Sequence, residues 1–175
     1  MMMFLRWVTV IATCFGLFGN IAHAQLRIDI TEGQVAPTPI AIANFTGPDG
    51  VVSEVGKQIA QIISEDLESS GLFAPVDSAA FIEPPKAPSI RPNFSNWSPL
   101  GVKGLLVGSA YVDSAGMVQV EFVLWDVVIQ RNITGGGGNA DQNAIRRISH
   151  QIADFVYEEF TGDRGYFDTR VVYVA

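Results

Sequence analysis

The sequence feature that most constrains the fold is a pair of long apolar stretches, residues 103–112 and 117–128, with a short polar connection between them. The connection reads Asp113-Ser114-Ala115-Gly116, which is typical of a turn between two antiparallel strands. In the second stretch, one face is expected to carry Val118, Val120, Phe122, Leu124 and Asp126. This alternation predicts a β-hairpin at the centre of a sheet.

A first amphipathic helix is predicted between Ser53 and Gly71. Ser53 can cap its amino terminus, and Gly71 stands where a helix is expected to stop. Apolar side chains recur at helical spacing on one face, at Val55, Ile59, Ile62, Ile63 and Leu67. A helix with this pattern buries its apolar face against a sheet.

A second helix is predicted to begin at Asn139 or Asp141 and to end at Thr161-Gly162. Its buried stripe is expected to contain Ile145, Ile148, Ile152, Phe155, Val156 and Phe160. The preceding residues 135–138 are four glycines, which we interpret as a hairpin tip or a loop leading into this helix. A phosphate-binding loop would need Lys-Ser/Thr or a Gly-x-Gly-x-x-Gly unit, and neither follows.

Further strands are predicted in residues 26–30, 40–45, 72–76 and 166–175. Residues 82–92 are rich in proline and are interpreted as a surface connection. Trp97 and Leu100 lie in a predicted helical turn that would plug the sheet edge. The expected fold is α/β, as an α+β two-layer arrangement in which a mixed sheet of about five strands carries two helices on one face.

Residues 1–24 have the three parts of a secretory signal peptide. Arg6 gives a positive start, an apolar run follows, and Ala22-His23-Ala24 is a small-x-small cleavage site. We expect cleavage between Ala24 and Gln25 and export to a periplasm. Cys14 leaves with the leader, so the mature chain has no thiol for a disulfide or a metal site.

The charge and the histidine content restrict the chemistry. The chain has 11 basic and 18 acidic residues, and loss of Arg6 leaves 10 against 18, a net charge of −8. This surface repels phosphate backbones, so no nucleic acid is expected as a partner. His150 is the one histidine after residue 24. We assign it a structural hydrogen bond or packing role, and predict no enzyme activity, no metal site and no cofactor.

The predicted start of the mature chain is a short strand on a tether. Leu26, Ile28 and Ile30 alternate with Arg27 and Asp29, and residues 31–39 then break up into turn-forming and polar types. A tethered strand of this kind can pair with the edge of its own sheet or with the sheet of another protein.

The chain resembles the amino-terminal domain of TolB proteins of the Tol–Pal system. The matching clusters in the first two thirds of the chain are Arg27-Ile28, Pro39-Ile40-Ala41-Ile42, Phe45, Asp66-Leu67, Ser70-Gly71, Phe73, Pro75, Trp97, Leu100-Gly101, Gly108 and Leu124-Trp125-Asp126. The most specific cluster is His150-Gln151-Ile152-Ala153-Asp154, followed by Tyr157-Glu158, Phe160-Thr161-Gly162, Gly165, Phe167, Thr169-Arg170 and Tyr173-Val174. The clusters keep the family's order and spacing over nearly the whole mature chain.

The resemblance implies a periplasmic, non-enzymatic protein that associates with membranes only through its partners. It implies that the mature amino terminus binds the carboxy-terminal domain of TolA, and that a six-bladed propeller following this domain holds Pal. The system maintains the outer membrane and its constriction during cell division. The residues expected to contact TolA are Gln25, Leu26, Arg27, Ile28, Asp29, Ile30, Thr31, Glu32 and Gly33.

The resemblance also predicts how the chain is divided. Residues 1–24 are the signal peptide, 25–36 a flexible strand and tether, 37–165 the α/β domain, and 166–175 a linker with the start of a truncated propeller. Asn44 and Asp29 depart from the residue types common in the family. The propeller that would bind Pal is expected to be missing from this chain.

Two other functions remain open at this point. A stand-alone periplasmic regulator of similar fold would act on a cell-wall synthase through its sheet face or its proline-rich loop. An enzyme would have a deep pocket around His150. Residues 25–33 themselves could instead form an ordinary edge strand of their own sheet.

Overall fold

Five strands and two α-helices form the regular structure of residues 36–169, which are the residues that the computed structural model describes. In chain order they are β1 (Thr38–Ile42), α1 (Glu54–Ser69), β2 (Phe73–Pro75), β3 (Gly104–Val112), β4 (Met117–Asp126), β5 (Arg131–Asp141) and α2 (Ile145–Thr161). The sheet order is β2-β1-β3-β4-β5. β1 is parallel to β2 and β3, whereas β4 is antiparallel to β3 and β5. The predicted mixed sheet is confirmed.

The predicted hairpin is β3 and β4, and β3 is the middle strand of the sheet. Leu106 pairs with Leu124, and both side chains are fully buried. Val118, Val120 and Phe122 share the face of Leu124 and join the same core cluster as both helices. Side chains two residues apart on a strand point to one face, so α1 and α2 lie together on that face, as predicted.

α1 begins and ends close to the predicted residues. The Ser53 hydroxyl accepts a hydrogen bond from the Gly56 backbone N–H at 2.9 Å. Gly71, at φ +71°, follows the helix in the left-handed region. The predicted stripe is confirmed at its centre, because Ile59, Ile63 and Leu67 are fully buried.

α2 has the predicted carboxyl end but a different start and a rotated buried face. Asn139 pairs with Gln119 inside β5, so it is not a helix cap. Asp141 precedes a short 3-10 turn and its side chain makes no capping bond. Phe155 is 52% exposed, whereas Tyr157 and Ala153 are buried. The stripe is rotated because α2 packs against α1 as well as against the sheet.

The four glycines at 135–138 are not a loop, and the prediction for them is wrong. They lie within β5, where Gly135 pairs with Val123 and Gly138 pairs with Val120. A Cβ atom on Gly135 or Gly137 would come within 2.9 or 2.8 Å of a β4 carbonyl oxygen. Glycine allows this close approach, and it carries no side chain from which a strand pattern could be read.

On the face of the sheet opposite the helices, residues 76–102 cover β1 and the adjoining parts of β3 and β4. Trp97 lies between two short 3-10 turns, Phe94–Asn96 and Ser98–Leu100, and belongs to the same buried cluster as Leu105 and Val107 of β3. Trp97 therefore covers a face and does not plug an edge. Residues 82–92, predicted to be a surface connection, also contain a buried side chain, because Glu83 is only 5% exposed.

Several predictions concern residues at the two ends of the chain. The signal peptide, residues 25–33 and residues 170–175 lie outside the described residues. Residues 166–169, the described part of the predicted last strand, contain no strand. Within residues 36–169, no helix is both long and apolar enough to cross a membrane.

Candidate interaction site

The predicted partner-binding residues, Gln25 to Gly33, and the cleavage residues Ala22, Ala24 and Gln25 fall before the described part of the chain. What the structure fixes is the position at which that segment joins the domain. Ala36 is exposed and leads into β1 two residues later.

β1 holds this junction firmly because it is an interior strand. The Thr38 N–H donates to the Leu72 carbonyl at 2.8 Å on one side. On the other side, the Lys103 N–H donates to the Pro39 carbonyl at 2.8 Å. The described chain therefore begins with an interior strand that is hydrogen-bonded on both sides, which is a rigid element of the sheet.

A second arrangement lies where the chain leaves α2. Residues 163–169, which we call the return segment, turn at Gly162 and run back along the helix. Both oxygens of the Asp154 carboxylate accept backbone N–H groups, from Phe167 at 2.7 Å and from Asp168 at 3.2 Å. Gly165 passes so close to the helix that a Cβ there would be 2.4 Å from the Asp154 Cα.

The far end of the return segment is held by the Asp168 carboxylate. It accepts hydrogen bonds from the Gln151 amide at 2.9 Å and from the Arg147 Nε at 3.3 Å. The Gln151 bond, with a smaller contribution from Arg147, lowers the pKa of Asp168 despite partial burial. The carboxylate is thus ionised at neutral pH, which keeps both bonds.

Aromatic packing fixes the middle of the return segment. The Tyr157 ring meets Tyr166 edge-on at 5.4 Å between centroids and Phe167 at 5.8 Å. Burial, together with Tyr166 and Asp163, raises the pKa of Tyr157, so its hydroxyl stays neutral. Tyr166 remains 48% exposed and offers part of its ring to solvent.

His150 joins the two helices. Its Nδ1 atom lies 2.6 Å from an Asp66 carboxylate oxygen on α1, and both side chains are about five-sixths buried, at 17% and 16% exposure. This confirms the structural hydrogen bond predicted for His150. The partner was not predicted, although Asp66 was a charged residue next to Leu67 in the buried stripe of α1.

The most specific motif cluster of the sequence thus becomes one site. His150, Gln151, Asp154 and Tyr157 lie along one side of α2 and bind α1 or the return segment. All of these contacts orient backbone and helices. Together they form a rigid junction that fixes the direction in which the chain leaves α2.

Residues 36–169 also bear on whether the chain has a metal site or a ligand pocket. They contain no group of three or more His, Cys, Asp or Glu side chains placed to hold a metal ion. An open groove of about 560 Å³ lies on the other side of the sheet from His150, over β3, β4 and β5. Glu121 is the charged side chain among the residues that line it.

Comparisons with known proteins agree with the motif clusters. The model of the family described as the TolB amino-terminal domain matches residues 26–133. The Tol-Pal system protein TolB of Paramagnetospirillum magneticum is 43% identical over 154 residues, covering 88% of this chain and 34% of that protein. The crystal structure of TolB from Acinetobacter baumannii matches with a TM-score of 0.61 and 25% identity, covering 82% of this chain and 33% of that one. The chain spans about a third of the length of these relatives.

Proposed function

This chain belongs to the TolB amino-terminal domain family, and from that membership we propose that it is a periplasmic interaction module of the Tol–Pal system. In this proposal, residues 25–33 capture the carboxy-terminal domain of TolA by adding a strand to it. The domain of residues 37–165 is the base that holds this strand. Pal is the second partner, reached mainly through a propeller that follows this domain in the family.

The observation that carries the proposal is the family match, which begins at residue 26 and so includes most of the predicted TolA-binding segment. Leu26, Ile28 and Ile30 alternate with charged residues, which suits a strand with one face buried on a partner. Main-chain hydrogen bonds would supply affinity, and the apolar face would select the register.

The proposed location and the absence of catalysis follow from the same premise. A signal peptide removed after Ala24 would deliver the chain to the periplasm and free Gln25 as its first residue. The contacts around α2 position a segment and hold no reacting group. A relay protein needs such fixed geometry, because a pull on one partner must reach the other.

Titration of the mature chain with the carboxy-terminal domain of TolA tests the proposal. We expect saturable binding by calorimetry, and its loss when residues 25–33 are deleted. Ile28→Asp should weaken binding by about tenfold or more, because it places a charge on the buried face of the added strand.

Asp29→Asn is the matched control, since it changes the neighbouring residue on the opposite face and should leave affinity within about threefold. Absence of binding, or binding that survives the deletion of residues 25–33, would refute the proposal. A stand-alone regulator would bind a different partner, and that binding would survive the deletion of residues 25–33.

A further inference from the structure

The two edges of the sheet differ in what they offer to another strand. β2 forms one edge with only three residues, Phe73–Pro75, and ends in a proline. β5 forms the other with eleven residues, Arg131–Asp141, and within residues 36–169 its strand partner is β4 alone. Short strands and prolines protect an edge from pairing, and β5 has neither.

The register of the hairpin shows which backbone groups of β5 face outward. The Asp113 N–H bonds to the Met117 carbonyl, so these two residues form a hydrogen-bonded pair. Such pairs alternate along an antiparallel ladder, so Val120 and Phe122 bond to β5 and the residues between them bond to β3. The backbone groups of Gly136 and Gly138 are therefore used by β4.

Gly135, Gly137 and Asn139 consequently direct their N–H and C=O groups away from the sheet. The residues at this edge are exposed from 135 to 139. The four glycines carry no side chain that could shield these groups. An added strand could pair with them over the centre of β5 without a steric obstacle.

On the helix face, a partly exposed apolar surface adjoins this edge. The Phe155 ring packs on Phe122 at 6.1 Å between centroids and is 52% exposed. The Phe122 ring itself lies beside Gly136, where a Cβ would meet it at 3.3 Å. A residue paired beside Gly136 would point to this face, so an apolar side chain there would cover Phe155.

On the opposite face, the same edge is acidic. Glu121 pairs with Gly137, is exposed, and makes no salt bridge within the described residues. Asp141 is also exposed and pairs with Met117 on this face. Since Gly137 has no side chain, a long basic residue on an added strand could reach across it to Glu121.

We propose that the outer edge of β5 is a second docking site, which binds an extended segment of another protein whose residues alternate between apolar and basic. The apolar side chains cover Phe155, the basic ones face Glu121, and the backbone pairs with Gly135 and Gly137. The net charge of −8 after loss of the leader favours a basic partner over an acidic one. The proposal does not depend on the role of residues 25–33.

The probe is a capped synthetic peptide of about eight residues that alternates valine with lysine, matched to a typical strand length. It is added to the isotope-labelled mature chain, and backbone amide shifts are followed by NMR. We expect the largest shifts at Gly135 and Gly137. A peptide with valine and glutamate is the charge control, and it should bind about fivefold more weakly.

Two changes to the peptide and the protein sharpen the test. N-methylation of the peptide residues that face the β5 edge should abolish binding, whereas methylation of the alternate residues should not. Glu121→Lys should reverse the preference between the two peptides. Glu68→Lys makes the same charge change on exposed α1 and should leave the preference intact.

Three results would overturn the proposal. The first is no shift at Gly135 and Gly137 with either peptide at about millimolar concentration. The second is an equal effect of Glu121→Lys and Glu68→Lys, which would reduce the interaction to net charge. The third is that the Gly135 and Gly137 amides are already protected from hydrogen exchange in the absence of peptide. Protection that is lost on dilution would indicate a dimer. Protection that is lost on deletion of residues 25–33 would indicate pairing within the chain. The edge would then belong to a second copy or to the chain's own first strand.

Discussion

The two faces of the sheet are covered in different ways. On one face, two helices bury a continuous apolar cluster that includes the fully buried side chains of Phe45, Ile63 and Leu106. On the other face, irregular chain from residues 76–102 covers β1 and the adjoining parts of β3 and β4, and an open groove lies over β5 and the remaining parts of β3 and β4. Apolar burial is the main contribution on the first face, with the His150–Asp66 hydrogen bond between its two helices. The second face depends more on particular hydrogen bonds.

The segment that covers the second face contains a buried carboxylate, that of Glu83. Glu83 accepts hydrogen bonds from the Trp97 Nε1 at 2.9 Å and the Asn93 N–H at 3.2 Å, and it is paired with Lys86. These three partners come from different points of the covering segment. A segment without regular structure is thus held in one conformation, because an unsatisfied buried carboxylate would be costly.

The largest expected loss of stability comes from a substitution on the helix face of the sheet. Phe45→Ala should lower the free energy of unfolding by about 3–5 kcal/mol, because the ring is fully buried and its removal leaves a cavity against Gly108. Urea unfolding followed by circular dichroism measures this. Phe155→Ala removes an equally large but half-exposed ring and should cost less than about 1 kcal/mol. Equal costs for the two variants would contradict the assigned rotation of α2.

A smaller effect is expected from the opposite face. Glu83→Ala should cost about 2–3 kcal/mol, since it leaves the buried Trp97 donor and the partly buried Asn93 N–H without an acceptor. Glu83→Gln keeps one acceptor oxygen and should cost roughly half as much. If Glu83→Ala left the free energy of unfolding unchanged, apolar packing would be enough to hold this face.

The smallest expected effect is a pH dependence confined to the opposite face. Burial by itself would raise the pKa of Glu83, but the hydrogen bonds from Lys86, Trp97 and Asn93 hold it below the ordinary 4.5. A lowered pKa in the folded state means that this stabilisation is complete above the ordinary value and is lost as pH falls through the folded value. The covering segment should therefore loosen in acid.

Tryptophan fluorescence of a chain that starts at Gln25, and so lacks Trp7, can isolate that change, because Trp97 and Trp125 both pack on this face. We expect the emission to shift only at pH values below the ordinary pKa of 4.5, while the helical circular dichroism is still near its value at neutral pH. Glu83→Gln should lack this acid transition. A simultaneous loss of both signals in the parent chain would mean that the two faces unfold together.

Much of the fold could be predicted from periodic patterns. The hairpin of β3 and β4 and the centre of α1 follow from alternation and from helical spacing, because each buries one side against a single surface. The prediction for α2 is wrong in part because this helix packs against two surfaces. Phe155 fits the helical stripe in sequence, yet α2 has two neighbours, and their combined direction turns Phe155 outward.

The remaining errors have a different cause. Glycines 135–138 carry no side-chain pattern, so their strand is created entirely by the backbone of β4. Glu83 lies among prolines and resembles a solvated loop residue until Trp97 and Lys86 are brought to it. In the same way, Asp66 and His150 are 84 residues apart, and no local signal joins them.

The sequence by itself determined the main elements, the apolar face of the hairpin and the family to which the chain is related, because these depend on local spacing and on motif order. Only the tertiary structure decided how Gln151, Asp154 and Tyr157 hold the return segment, and which long edge strand has a single strand partner within residues 36–169. The physical reason is that hydrogen bonds and strand pairing join residues far apart in the chain. Their energy depends on distances that exist only after the helices and the sheet have packed together.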